Sequence, residues 1–347
     1  MSSLPYLNIN LYLFFEFLVF VPFVIILIRE YYQKNILRIY EILSCAAFGM
    51  ILEVGNTILA HNYGYSSDFL VQMFGVPLAI GCGWAVIIYC AMLLSDQYNI
   101  PWFFRPFLDA LTALVLDLSM DIVAIRLGFW HWVIPLNEEW FGVPYENLAG
   151  WIFVVLSFSF LIRFIRTLNP KRLLTELLML ISPILSYISL IIGLALFGLF
   201  SVIPYGINNW YQFIGFNYYP NLNVIYNPEV QQWKLIALVV IIVELINIVL
   251  FAIVKYKKKY LWRFDLLSFS ILSAIHIFFL FTVFSTGIYK ELPVAAVIAF
   301  IAFLAHLLLH FLPYALNPKN VYVFKEFENR LKKEQKKVEK LISKSLR

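Results

Sequence analysis

Nine apolar segments, most of them close to the ~20 residues that cross a hydrocarbon core, constrain this chain more than any other feature. They run roughly over 8–28, 40–60, 75–95, 105–126, 148–167, 174–203, 233–254, 264–286 and 293–316. Hydrophobic residues make up 62% of the chain and charged ones 14%, more apolar surface than a soluble core can hide. The reading is an all-α, polytopic transmembrane helix bundle. The connections test the count independently. Arg29, Lys34 and Arg38 separate the first two segments, and no Lys or Arg separates the second from the third. Arg105 follows the third, and Arg126 alone edges the acidic connection after the fourth. Next come Arg163, Arg166, Lys171 and Arg172, then a long connection at 204–232 with no basic residue. Lys255, Lys257, Lys258, Lys259 and Arg263 follow, then Lys290, then a tail with ten basic residues. Basic and non-basic connections alternate, which predicts nine spans of the cell membrane, N-terminus outside and C-terminus cytoplasmic. The first segment has no basic leader or small-residue cleavage site and is expected to be a retained helix.

Residues 1–317 form the expected transmembrane domain and 318–347 a basic tail. In the tail Phe324, Phe327, Leu331, Val338 and Leu341 recur at helical spacing among lysines, as in an amphipathic helix on anionic membrane lipids. The net charge of +5 sits in connections and tail, so nucleic acid is not an expected partner. Cys45, Cys82 and Cys90 lie inside apolar segments without metal-ligand spacing and read as small core residues.

An internal echo organises the first half. FGVPLAIGCGW at 74–84 aligns without gaps to FGVPYENLAGW at 141–151, at an offset of 67. An aromatic-x-aromatic element precedes each copy (Tyr63 and Tyr65; Trp130 and Trp132), and before that an acid late in an apolar segment (Glu53; Asp117 and Asp121). This reads as a duplicated two-helix unit, both copies facing the outer side, related by an axis along the membrane normal. Packing alone accounts for the glycines and prolines of the echo.

An Asp at mid-membrane costs a few kcal/mol on insertion scales, so buried carboxylates mark sites. The ionisable residues within segments are Glu16, Glu41, Glu53, Asp109, Asp117, Asp121, Glu244, His276, His306 and His310. Asp117 and Asp121 are four apart and share a helix face, and with Glu53 they fall near the outer ends. Close carboxyls cannot all ionise easily, so one can serve as a neutral general acid beside an anion. Asp-x-x-x-Asp is also a Mg²⁺-diphosphate pattern in membrane prenyltransferases, but a second acidic cluster is missing and Arg126 is the one base nearby. His306 and His310 lie near the inner end and read as packing residues. Two readings fit Trp84, Trp130, Trp132, Trp140 and Trp151: interfacial anchors, or pocket walls whose faces stabilise a carbocation. One option is that Arg126 pairs with Asp121 and holds it ionised, leaving Asp117 or Glu53 as the acid, and His131 is either a proton relay or a solvated boundary residue.

At LDLSMDIVAIRLGFWHWVIPLNEEWFGVPYENLAGW the sequence resembles the carotenoid biosynthesis membrane proteins, the group of bisanhydrobacterioruberin and gamma-carotene hydratases. The resemblance rests on Asp117 and Asp121; Gly128, Trp130 and Trp132; Phe141 to Pro144; Asn147; and Gly150-Trp151. YEILSCAAFGMILEVGN and FGVPLAIGCGW add Glu41, Glu53 and Pro77; the likeness is clear over about 40–170 and hydropathic beyond. It implies addition of water across the terminal isoprenoid double bond of an acyclic carotenoid taken from the bilayer, with no metal or redox cofactor. Asp117 or Asp121 would protonate the alkene, with Glu53 or the other Asp as partner. Trp130, Trp132, His131, Asn147, Trp84 and Trp151 would contact the substrate, and association with other carotenoid biosynthesis enzymes is in keeping. A membrane carrier or ion-coupled transporter is the alternative from another class, distinguished by a polar cavity opening alternately to both sides.

Overall fold

The computed structural model describes residues 10–60, 63–98, 100–168, 172–208, 228–256 and 264–316. The expected tail at 318–347 and most of the 204–232 connection lie outside the described residues. Nine long helices account for nearly all of the rest: α1 (Leu11–Tyr32), α2 (Ile36–Val54), α3 (Leu78–Gln97), α4 (Arg105–Arg126), α5 (Tyr145–Leu168), α6 (Arg172–Asn208), α7 (Pro228–Tyr256), α8 (Leu266–Ser285) and, after the short α9 (Ile288–Glu291), α10 (Pro293–Leu316). Each overlays one apolar segment. Seven are long and apolar enough to cross a membrane; α2 and α4 carry more charge than that description allows. These two are the helices that bear the acids, and their neighbours bury them: Phe48 of α2 and Asp109 and Asp117 of α4 are fully buried.

Contacts place the helix ends. Asn10 caps α1 by accepting from the Tyr12 and Leu13 amides, and Tyr12 in turn donates to the Gly128 carbonyl just past α4. At the opposite end the cations that follow or precede the helices are held by acids. Asp96 accepts from Arg105 at 2.8 Å and Arg163 at 2.6 Å, with Arg38 at 3.7 Å. Glu41 pairs with Arg166, and Arg29 meets Asp265, the cap of α8, at 3.0 Å. Tyr98 just past α3 bonds the Leu309 carbonyl late in α10. Back at the Asn10 end, Lys234 near the start of α7 pairs with Glu146 in the first turn of α5. The long helices therefore run alternately between an acidic-aromatic end and a basic end.

Short non-helical pieces close the acidic end. A π-helical turn (Gly55–Ala60) continues α2, and β1 (Tyr63–Tyr65) pairs antiparallel with β4 (Trp130–Trp132). β2 (Gln72–Met73) and β3 (Val76–Pro77) form a hairpin. The echo is structural as well as sequential. Phe74 and Gly75 have φ of 55° and 77°, and their equivalents Phe141 and Gly142 have 54° and 92°. Two successive positive φ values make a type I′ turn, flanked by matching bridges, Met73 to Val76 and Trp140 to Val143. The β1–β4 register pairs Tyr63 with Trp132, Gly64 with His131 and Tyr65 with Trp130. Exchanging the two copies maps this register onto itself. The equivalent Trp84 and Trp151 also touch, their rings 4.2 Å apart. A local two-fold axis thus passes between Gly64 and His131 and between Trp84 and Trp151.

Candidate active site

The cavity of this end lies on that axis. It opens at a mouth and spans about 710 Å³ of non-atom space, the open mouth included. Each copy of the repeat supplies three aromatic walls: Tyr63, Tyr65 and Trp84 from the first, Trp130, Trp132 and Trp151 from the second. Strand alternation explains how. Side chains two apart share a face, so both β1 tyrosines and both β4 tryptophans turn inward. His131, between the tryptophans, turns outward: it is exposed, lies over Gly64 and lines no part of the cavity.

Glu53 and Asp121 supply the carboxyls of the chamber. Glu53 ends α2 where the helix widens into the π turn, a distortion that often accompanies functional sites. Its oxygens accept three bonds, from Tyr63 Oη, from Tyr65 Oη at 2.6 Å and from Trp84 Nε1 at 2.7 Å. Burial, and then the facing Glu53 carboxylate, hold both phenols well above the ordinary tyrosine range, so they remain O–H donors.

The Asp117 and Asp121 carboxyls stand one turn apart on α4, both buried and both within reach of one amide nitrogen. Asn147 Nδ2, from the first turn of α5, donates to Asp121 and lies 3.4 Å from Asp117 Oδ2. Asp121 faces the cavity; Asp117 stands behind it, fully buried, with Oδ1 unpartnered. The α5 start that carries Asn147 is itself capped by Glu139, which accepts from the Tyr145 amide at 2.6 Å. Burial, and then Glu146, push the Glu139 carboxyl up to about 7.

All three expected acids converge here, as do Trp84, Trp130, Trp132, Asn147 and Trp151. Arg126 does not pair with Asp121. A cation in the last turn of a helix finds free carbonyls closer at hand, and Arg126 donates to those of Ile122, Phe141 and Leu136. Asp109 is at the other end, bonded to Ser159 and 3.0 Å from Arg163. Glu16 accepts from the Leu70 and Val71 amides and ties down the connection before the β2–β3 hairpin. His306 and His310 lie beside His276, and His306 bonds Ser273 at 2.9 Å, away from the acids. Missed by the sequence reading were the Glu53 bonds of Tyr63 and Tyr65 and the apolar walls from α1 and α8: Phe15, Leu18, Val19 and Ile275. Among the described residues no three His, Cys, Asp or Glu side chains are placed to hold a metal ion, and no Lys or Arg lines the cavity.

Together these features define a polytopic helical membrane protein with a carboxyl-bearing, aromatic-walled cavity at one end of its bundle. The chain belongs to the carotenoid biosynthesis protein family, whose model matches residues 9–212, and its role is in carotenoid biosynthesis. It is similar to the bisanhydrobacterioruberin hydratase of Haloarcula japonica, 38% identical over 53 residues, which are 14% of this chain and 17% of that protein. The match therefore spans less than a fifth of the relative's length. No solved structure matches the chain.

Proposed function

We propose that this protein hydrates the terminal isoprenoid double bond of an acyclic carotenoid, giving a tertiary alcohol. The observation that carries the reading is the meeting, in one apolar cavity, of carboxyl groups held in two different ways. Glu53 receives three donors and offers none, which is how a carboxylate is held. Asp117 and Asp121 are buried one turn apart around the single Asn147 amide, and two such close carboxyls cannot both ionise easily, so one keeps its proton. Asp121, the member on the cavity, is the general acid, and Asp117 is the partner that shares its proton.

In the reaction the alkene π pair takes the Asp121 proton at the less substituted carbon. The tertiary cation so formed lies among the ring faces of Trp130, Trp132, Tyr63 and Tyr65, opposite the Glu53 anion. Water forms the new C–O bond, and its surplus proton returns to the Asp121 carboxylate, directly or by way of Glu53, restoring the acid. Water adds and no electrons are exchanged, so the step asks for no redox partner. A diphosphate substrate would instead call for cations at the cavity, where uncharged aromatics stand. By the positive-inside rule the basic end is cytoplasmic, and the cavity opens toward the outer leaflet.

The test is pigment analysis by liquid chromatography and mass spectrometry in a host that makes lycopene. Species heavier by one or two waters are expected, falling about 10²- to 10⁴-fold in Asp121→Asn, the usual worth of a general acid. Unchanged pigment with membrane-inserted wild-type protein, or full activity in Asp121→Asn, would overturn the assignment.

A further inference from the structure

The cavity has two chemical halves. Around the axis it is aromatic and carboxylic; away from it, Leu18 and Val19 of α1, Ile80, Gly83, Val86 and Ile87 of α3 and Ile275 of α8 form an arm without a polar side chain. The duplication makes this asymmetry informative. At the offset of 67, Ile80 stands where the second copy has Asn147, the residue that bonds both aspartates. The second copy holds its aspartates through this amide, and the equivalent place in the first copy is hydrocarbon. Leu18 and Ile80 are half-buried, whereas Val19, Gly83, Val86 and Ile87 are buried, so the arm reaches the lipid-facing surface between α1 and α3. A Cβ on Gly83 would meet only the Val19 methyls, at 3.8 and 3.9 Å, leaving the arm open where any larger side chain would enter it.

We propose that this arm seats the polyene chain, admitted from the bilayer between α1 and α3, and that Gly83 keeps the path open. The inference rests on the hydratase reading for its substrate class, a long unbranching-width hydrocarbon whose one reactive end must reach Asp121 and Glu53. A second apolar groove, between α2, the π turn, the β2–β3 hairpin and Tyr187 of α6, is a rival path. It is closed off from the acids by the α2–α3 seam. There a Cβ on Gly49 would come within 2.8 Å of Trp84, and one on Gly81 within 2.5 Å of Met50, so the two helices meet without a gap.

Lycopene is coloured, so binding can be read apart from chemistry, as pigment per protein after purification in mild detergent from a lycopene-making host. Wild type, Asp121→Asn and Ile58→Trp in the rival groove are expected to carry pigment, Asp121→Asn without hydrating it. Gly83→Phe is expected to lose about tenfold or more, the scale of a small volume change in an apolar pocket. Leu18→Trp at the mouth carries the same expectation should Gly83→Phe fail to give a single folded species. Pigment retained in both arm variants, lost in Ile58→Trp, or missing from wild type would overturn the arm. Pigment bound through the arm but never hydrated would overturn the hydratase reading and leave the arm standing.

Discussion

Removing the Tyr63 hydroxyl leaves Glu53 with Tyr65 and Trp84 as donors, in a cavity where water cannot freely replace the lost one. A hydrogen bond to a charged group is worth about 1.5–3 kcal/mol, so Tyr63→Phe and Tyr65→Phe should each slow hydration about tenfold to a hundredfold. Pigment conversion at matched protein level measures it; wild-type rates in both variants would show that Glu53 needs no such hold. The acids themselves were legible in the sequence, because a carboxyl in an apolar segment is costly and Glu53 and Asp121 sat near the outer ends, with Asp117 one turn deeper. Their partners were not. Tyr63 reaches Glu53 only because β1 pairs with a strand 67 residues away, and no local pattern encodes that pairing. Arg126 was misjudged for a related reason: opposite charge invites pairing, but the free carbonyls past its own helix are nearer. Phe15, Leu18 and Ile275 carried no signal at all, since every face of a membrane helix is apolar.

At the scale of elements, the duplicated turn offers a controlled comparison. Gly75 and Gly142 occupy equivalent positions at φ 77° and 92°, where any L residue pays roughly 1–2 kcal/mol of backbone strain. Their surroundings differ. A Cβ on Gly75 meets nothing within 4 Å, whereas one on Gly142 comes within 2.8 Å of the Leu136 backbone and 3.0 Å of Ile125. Gly75→Ala should therefore destabilise by the strain alone, about 1–2 kcal/mol, and Gly142→Ala by clearly more, read as thermal midpoints of the purified protein. Equal shifts would show that crowding against Leu136 relaxes at no cost. The nine helices were legible because span length and hydropathy are local properties. The echo was legible as a repeated string, but its symmetry was not: strands of two or three residues announce themselves only through their partners.

The whole molecule separates its charges by end. Asp96, Arg105, Arg163, Arg38, Glu41 and Arg166 interlock at one end, and Glu53, Asp117 and Asp121 gather at the other. The loop charges foretold which helix ends belong together, though not that Arg163, counted with a basic connection, would be buried between Asp96 and Asp109. The positive-inside rule predicts a cytoplasmic basic end, and the molecule lends itself to a direct test. Its native Cys45, Cys82 and Cys90 are all buried, so an introduced surface cysteine reports without interference. Ser67 is exposed beside the cavity end and Gln33 is exposed at the basic end, between α1 and α2. In intact cells a membrane-impermeant maleimide should label Ser67→Cys and spare Gln33→Cys until the membrane is permeabilised. The reverse pattern would invert the topology and turn the carboxyl chamber toward the cytoplasm. Labelling of both without permeabilisation would mean that α2 does not separate the two ends across a bilayer, and the nine-span arrangement would fall with it.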